Sequence, residues 1–579
     1  MVISRPRTPK GNLAPPHPRT PAPPKSNLAP PHPRTPAPSK SNLAPPYPHT
    51  PEKKAMEENL KDKTARGLFW GGLSNGVLQL LNLAFGIILA RLLSPSDYGM
   101  VGMLQVFSLV AIALQESGLN VALINKKDLR HEDINAVFWF SLAVSITLYL
   151  ILYACAPAIA AFYKQPLLTP LARFTFLSFV ISSLGICHNA VLMRELKVKQ
   201  NAIIMMVSLL VSGMVGVVMA WHGMAYWGLA TQSMVYIAGV ALGRWMVSGW
   251  RPTLFSRSGE HLRRYEGTEV RGYENSNEAQ ATEPDSNLAP PYPRTPAPPK
   301  KLFAPLKTLL PFSLKIMAAN LITILNNNIL TVLLGRLFNE REVGFYNQAA
   351  KWNQMGFSVI QGMIVSVAHP VMRQVESDRE RLLRVFRKML RFASFVSFPC
   401  MFGLALVAPE LITIAITDKW LPSARLMQMV CIGGAFLPLH QLMYQLLVSK
   451  GRSDVCLKNT ILFGIVQVIA VFLCRSLGIT AMVWAFVGVN IVWIFVWWAL
   501  VRQQIGLSLW LFLRDILPFL LIAATCILAA AWVASFLQNI YLSLVVKVVV
   551  VAILYVLAMQ LLHVETFREA LAYLRKKKS

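Results

Sequence analysis

Apolar residues in this chain come in blocks of about twenty, divided by short polar joints, and not in stripes at helical spacing. Such blocks leave few folds open. A backbone in hydrocarbon must satisfy every amide internally, so each block is a membrane-spanning helix. Composition agrees: the 579 residues are 54% hydrophobic and 15% charged, with a mean hydropathy of +0.47, where a soluble domain carries about a quarter charged residues. The net charge of +28 raises nucleic acid as a partner. The basic residues, however, lie in clusters between apolar blocks, where the positive-inside bias puts them, so no nucleic acid is expected. Seven cysteines without a Cys-x-x-Cys pair read as small core fillers, with no metal and no cofactor.

Two short patterns occur twice. Arg91-Leu-Leu-Ser-Pro-Ser-Asp-Tyr-Gly99 is echoed by Arg336-Leu-Phe-Asn-Glu-Arg-Glu-Val-Gly344, and Gly223-Met-Ala-Tyr-Trp-Gly-Leu-Ala230 by Gly478-Ile-Thr-Ala-Met-Val-Trp-Ala485. Both offsets are roughly 250 residues, the mark of internal duplication. Spans are expected near 68–92, 99–124, 135–162, 168–192, 202–221 and 224–248. A second set falls near 304–334, 345–372, 388–410, 426–449, 456–475 and 478–501, and two more near 514–536 and 540–563. The expected fold is an all-α polytopic membrane protein of about 14 transmembrane helices. It consists of two parallel six-helix repeats plus two C-terminal helices. Every second loop is basic, from Lys126, Lys127 and Arg130 to the tail Arg575–Lys578, which places both termini in the cytoplasm.

The expected segments are a disordered proline-rich repeat (1–55), a six-helix bundle (56–248), a disordered cytoplasmic loop with the same proline-rich unit (249–301), a second bundle (302–504), and two extra helices with a basic tail (505–579). Proline at this density removes amide donors and cannot build a core. The unit Ser26–Lys40 recurs at Ser286–Lys300, as an inserted element would, so the working protein is expected to begin at Met56 without a cleavable signal. Glu376 to Phe392 mixes Arg and Lys with apolar residues and is expected to lie along the cytoplasmic surface, against anionic lipid.

With Glu116-Ser-Gly-Leu-Asn-Val-Ala-Leu-Ile124, Val343-Gly-Phe-Tyr-Asn-Gln-Ala349 and Lys450-Gly-Arg-Ser-Asp454, the duplicated motifs resemble bacterial polysaccharide flippases of the multidrug/oligosaccharidyl-lipid/polysaccharide exporter superfamily. The likeness covers Met56 to about Gln504. It implies a transporter and no enzyme: a bacterial inner-membrane protein that moves lipid-pyrophosphate-linked oligosaccharide to the outer leaflet for O-antigen, capsule or exopolysaccharide. Membrane lipids and polysaccharide-assembly proteins would be its partners. The stretch Asn326-Asn-Asn-Ile-Leu330 departs from the family pattern in holding no acid. A drug or cation antiporter of the same superfamily is the alternative; a polymerase or glycosyltransferase, needing a sizeable outer loop or an acid cluster, is a more distant one.

An ionisable residue inside a span is a functional candidate by default. Arg91, Arg173, Lys315 and Arg336 are candidate phosphate ligands, with Asn320, Asn327 and Asn328 beside Asn326 for sugar hydroxyls, and Glu116 is the candidate coupling site. Arginine grips phosphate bidentately and lysine as a point charge. For Arg91 and Arg336, at helix ends, snorkelling or capping of carbonyls is the competing role, and the asparagines can equally join helices. His369 and His440 suggest a proton relay against the plainer role of bonded structure. No Gly-Lys-Ser/Thr phosphate loop is present.

Overall fold

The computed structural model describes residues 76–116, 123, 131–195, 197–253, 306–375, 378–564 and 567–568. Among them every regular element is a helix. The first half holds α1 (Gly76–Leu92), α2 (Pro95–Glu116), α3 (His131–Tyr163), α4 (Leu168–Arg194), α5 (Val198–Trp221) and α6 (Ala225–Ser248). The second begins with α7 (Leu306–Leu337), α8 (Glu340–Gln374) and α9 (Arg379–Leu406). It continues as α10 (Ala408–Ile416), α11 (Leu421–Gly434) and α12 (Leu437–Ser449), then α13 (Ser453–Leu473) and α14 (Ile479–Ile505). The chain closes with α15 (Leu509–Ala534) and α16 (Ile540–Leu561). Ten helical stretches among the described residues are long and apolar enough to cross a membrane. The chain is therefore an all-α multi-pass membrane protein. Four expected spans are not among the ten: α1, a shorter apolar helix over the span expected near 68–92, and α6, α7 and α8, over those expected near 224–248, 304–334 and 345–372. The first half of α8 carries a row of polar residues, Asn347, Gln348, Lys351 and Asn353.

The duplicated motif makes the same local structure twice. Ser94 caps α2: its hydroxyl accepts from Asp97 N at 3.3 Å, while Asp97 Oδ2 accepts from Ser94 N at 2.8 Å and Oγ at 2.7 Å. That is a reciprocal capping box, with Pro95 at the first helical position where no amide partner is needed. Asn339 caps α8 by accepting from Glu342 N at 3.0 Å. The motif's acid thus stands in the positive first turn of each helix.

Its glycine has a different task. A Cβ on Gly99 would lie 1.7 Å from Glu340 O, and one on Gly344 would lie 1.8 Å from Pro95 O. Each glycine therefore admits the first residue of the other helix, and α2 and α8 cross backbone to backbone. Side chains at either position would hold them apart.

One expectation fails at α9. The stretch from Glu376 to Phe392 does not lie along the surface as a separate element: from Arg379 it is the start of the continuous helix that runs to Leu406. Leu382, Phe386 and Leu390 are wholly buried, and α9 packs on α15. Arg387 forks onto Asp515 of α15 at 2.6 and 3.0 Å, with Arg391 also within 3.7 Å. The apolar face that suggests a lipid surface meets protein instead. A second pair joins α16 to α10, where Lys547 donates to Glu410 and Ser543 Oγ adds a bond of 3.0 Å to the same carboxylate.

The tenth expected span, 426–449, is a broken helix. Gly433 and Gly434 end α11, and Pro438 stands in the first turn of α12. Proline offers no amide to the carbonyl of Gly434 four residues back, which breaks the ladder there. In the first half, the segment after α6 folds back on α3: Asn135 and Trp139 donate to Thr253 O at 2.6 and 3.1 Å, and Trp250 donates to His131 at 3.0 Å.

Candidate functional site

A cavity of about 290 Å³ lies among α1, α2, α5, α6 and α8. Its polar wall comes from Asn82 on α1, Tyr98 on α2, Ser212 on α5, and Gln232, Ser233 and Tyr236 on α6. From the second half α8 contributes Lys351. The lysine side chain is exposed to this space, and its Nζ rests against α1 so closely that a Cβ on Gly86 would stand 2.7 Å away. Among the described residues no carboxylate lines the cavity. The site is thus one ammonium ringed by amides and hydroxyls. In surroundings of low dielectric such a charge attracts an anion strongly, and the neutral groups both donate to and accept from sugar hydroxyls.

Of the cationic candidates from the sequence, Arg91, Arg173 and Arg336 are not among the residues lining this space. Arg91 donates from Nε to Ala415 O and from Nη2 to Ile414 O, both at 2.7 Å, and so closes the C-terminal end of α10. Its guanidinium serves the capping role and has its charge where the helix dipole is negative. Arg173 lies over the ring of Tyr153 at 4.3 Å, its buried Nε without a hydrogen-bond partner. Arg336 lies over Phe162 at 5.3 Å. Lys315 falls within α7 and Glu116 ends α2, but their side chains lie outside the described residues.

The asparagines divide. Asn326 donates to Thr460 O at 2.7 Å and sits over Gly464 of α13, so it joins two helices. Asn328 bonds Ile324 O of its own helix at 2.8 Å. Asn320 and Asn327 have exposed side chains. Of the histidines, His369's side chain is outside the described residues, while His440 has a buried Nε2 with no partner.

Lys351 is the residue the sequence reasoning passed over. Its signal was present: a lysine near the start of the span expected at 345–372 falls under the same rule that singles out Lys315.

The protein family described as "Polysaccharide biosynthesis protein" matches residues 88–265 and 294–425. The chain belongs to this family. The gap in the match falls inside the stretch 249–301, expected to be a loop. Among curated members of similar sequence, the lipopolysaccharide biosynthesis protein WzxC of Escherichia coli (strain K12) is 23% identical over 477 residues, 80% of this chain and 88% of that protein. The teichuronic acid biosynthesis protein TuaB of Bacillus subtilis (strain 168) is 21% identical over 470 residues, 80% of this chain and 87% of its own length. Two solved structures share the fold of this family member. The lipid II flippase MurJ, in an inward closed conformation, superimposes with a TM-score of 0.60 at 12% identity, over 85% of this chain and 98% of MurJ. An inward-facing multidrug resistance MATE family transporter of the MOP superfamily does so at 0.55 and 17% identity, over 74% and 94%.

Proposed function

We propose that this chain is a transporter that moves lipid-pyrophosphate-linked oligosaccharide units across the bacterial inner membrane, for assembly of a surface polysaccharide. The observation that carries the reading is the acid-free cavity with Lys351 at its wall. A phosphate group needs a positive partner once it leaves water, and a glycan needs neutral hydrogen-bonding groups. Lys351 serves as the point charge, while Asn82, Gln232, Ser233 and Tyr236 meet hydroxyls. The lipid tail stays in the membrane beside the helices. A cavity of about 290 Å³ stands at the lower edge of ligand pockets, so a multi-sugar unit requires a wider state than this one.

Transport proceeds by alternating access. Two parallel six-helix halves rock about the α2/α8 crossing, with both termini cytoplasmic, fourteen spans in all, and Glu116 as a coupling group to be tested by Glu116→Asp against Glu116→Gln. The same chemistry weighs against the antiporter alternative, since a cationic drug would meet a lysine and no counter-charge.

The test is complementation of a deletion strain. Loss of one charge-assisted bond is worth about 1.5–3 kcal/mol, so Lys351→Met should lower export roughly 10- to 150-fold at normal protein level, with lipid-linked units accumulating on the cytoplasmic leaflet. Lys351→Arg should retain much of the export. Full export by Lys351→Met, or no accumulation on deletion, would remove this function.

A further inference from the structure

One end of the bundle is shut by two clasps of unequal strength. In the first, the α10–α11 connection of the second half grips the end of α1. Trp420 donates from Nε1 to Ala90 O at 2.8 Å, and Lys419 donates to Arg91 O at 2.6 Å. Arg91 returns two bonds to Ala415 O and Ile414 O. Trp420 is fully buried and meets Tyr98 and Phe345 edge-on, its ring centroid 5.2 and 6.2 Å from theirs.

The second clasp is the counterpart of the first in the other half. Here the α3–α4 connection meets the end of α7. The Tyr163 ring takes the place of Trp420: a Cβ on Gly335, the residue before Arg336, would lie 2.6 Å from it. A residue of positive φ follows close on each site or precedes it, Lys164 at 57° and Thr417 at 80°. Yet the buried Tyr163 hydroxyl has no hydrogen-bond partner. One bond, from Gln165 Nε2 to Glu340 Oε2 at 2.7 Å, does the work of four. Arg336, in the position of Arg91, rests on Phe162, its guanidinium 5.3 Å from the ring centroid.

We infer that this end of the protein opens as a one-sided door: the Arg91–Trp420 clasp is the hinge that stays closed, and the Gln165–Glu340 clasp, between the end of α3 and the start of α8, is the seam that parts. The inequality decides it. Four hydrogen bonds, all from charged or indole donors to backbone carbonyls, must break together to free α1 from the second half. Among the described residues one side-chain bond, and no bond to a backbone carbonyl, must break to free the end of α3 from α8. A symmetric rocking motion would strain the strong side for no gain. The inference rests on the alternating-access reading for the premise that this end opens at all.

Spin labels on purified protein in lipid nanodiscs test it without any substrate. The hinge pair is Leu92→Cys with Asp418→Cys and the seam pair Leu167→Cys with Arg341→Cys, all four exposed positions. The exposed Cys155 and Cys400 and the partly exposed Cys474 are replaced by serine. Distances are measured by double electron–electron resonance in the otherwise unaltered chain, in Gln165→Ala, which loosens the seam, and in Trp420→Phe, which loosens the hinge. The expected result is a longer second population for the seam pair, enlarged by Gln165→Ala, while the hinge pair keeps one distance in both of these proteins. Lengthening of the hinge pair in the chain without Trp420→Phe, or a seam pair that stays single even with Gln165→Ala, overturns the inference. A seam that parts in a protein whose deletion leaves no lipid-linked saccharide behind keeps the door and discards the cargo.

Discussion

The backbone crossing of α2 and α8 predicts a particular failure of additivity. Ordinary contact for a Cβ begins at 3.4 Å, so the 1.7 Å approach of Gly99 to Glu340 O obliges the two helices to part by about 1.7 Å in Gly99→Ala. Gly344→Ala, at 1.8 Å from Pro95 O, demands nearly the same separation. Overpacking costs about 1–3 kcal/mol, and the upper figure applies because the obstacle is backbone and cannot change rotamer. Taken independently the two changes would sum to about 6 kcal/mol. They act on one gap, however, and a gap opened for the first methyl already accommodates the second. The double variant should therefore lose only about 3–4 kcal/mol, a coupling of about 2–3 kcal/mol. Reversible unfolding in mixed micelles of the four proteins measures this directly. Gly488→Ala is the control: on α14 its Cβ meets nothing within 4 Å, and it should be neutral or stabilising by up to about 1 kcal/mol. Strict additivity, or a Gly99→Ala protein as stable as the control, would refute the shared-gap argument.

Other expectations follow from single contacts. Asp515→Ala leaves Arg387 and Arg391 without their shared carboxylate and should cost about 3–5 kcal/mol, whereas Asp515→Leu combined with Arg387→Met should recover most of it; thermal denaturation in detergent separates the two. Trp420→Phe keeps the buried ring but leaves Ala90 O without its donor, for a loss of about 1–3 kcal/mol in the same assay. Lys351→Met should reduce polysaccharide export without lowering the denaturation temperature, because the lysine has no acid partner among the described residues whose loss would be felt.

How much of this was legible beforehand depends on which way each side chain faces. Apolar blocks announce helices whatever surrounds them, so α2 to α5 and α13 to α16 lie close to their expected bounds. The break in the tenth expected span was written in Gly433, Gly434 and Pro438 and went unread, because a hydropathy window averages over it. The amphipathic start of α9 misled for a physical reason: a face that is apolar for lipid and one that is apolar for α15 have the same composition. Arg387 gave no sign of which it was, since its partner Asp515 lies in a helix read as plain hydrocarbon span. At the site, the rule that a charge within a span has a purpose was sound. It could not distinguish an arginine spent on two carbonyls, Arg91, from a lysine left facing a cavity, Lys351. That difference lies in the tertiary neighbours alone.

The ion pairs that hold α15 and α16 have a consequence for the order in which this protein is made. Arg387 and Glu410 leave the ribosome well before the residues that neutralise them, separated by 128 and 137 positions. Until α15 and α16 are inserted, Arg387 and Glu410 lack these partners, and a charge without one is costly in the membrane. A chain halted at Ile505 would lack Asp515 and Lys547 and leave Arg387 and Glu410 without these partners.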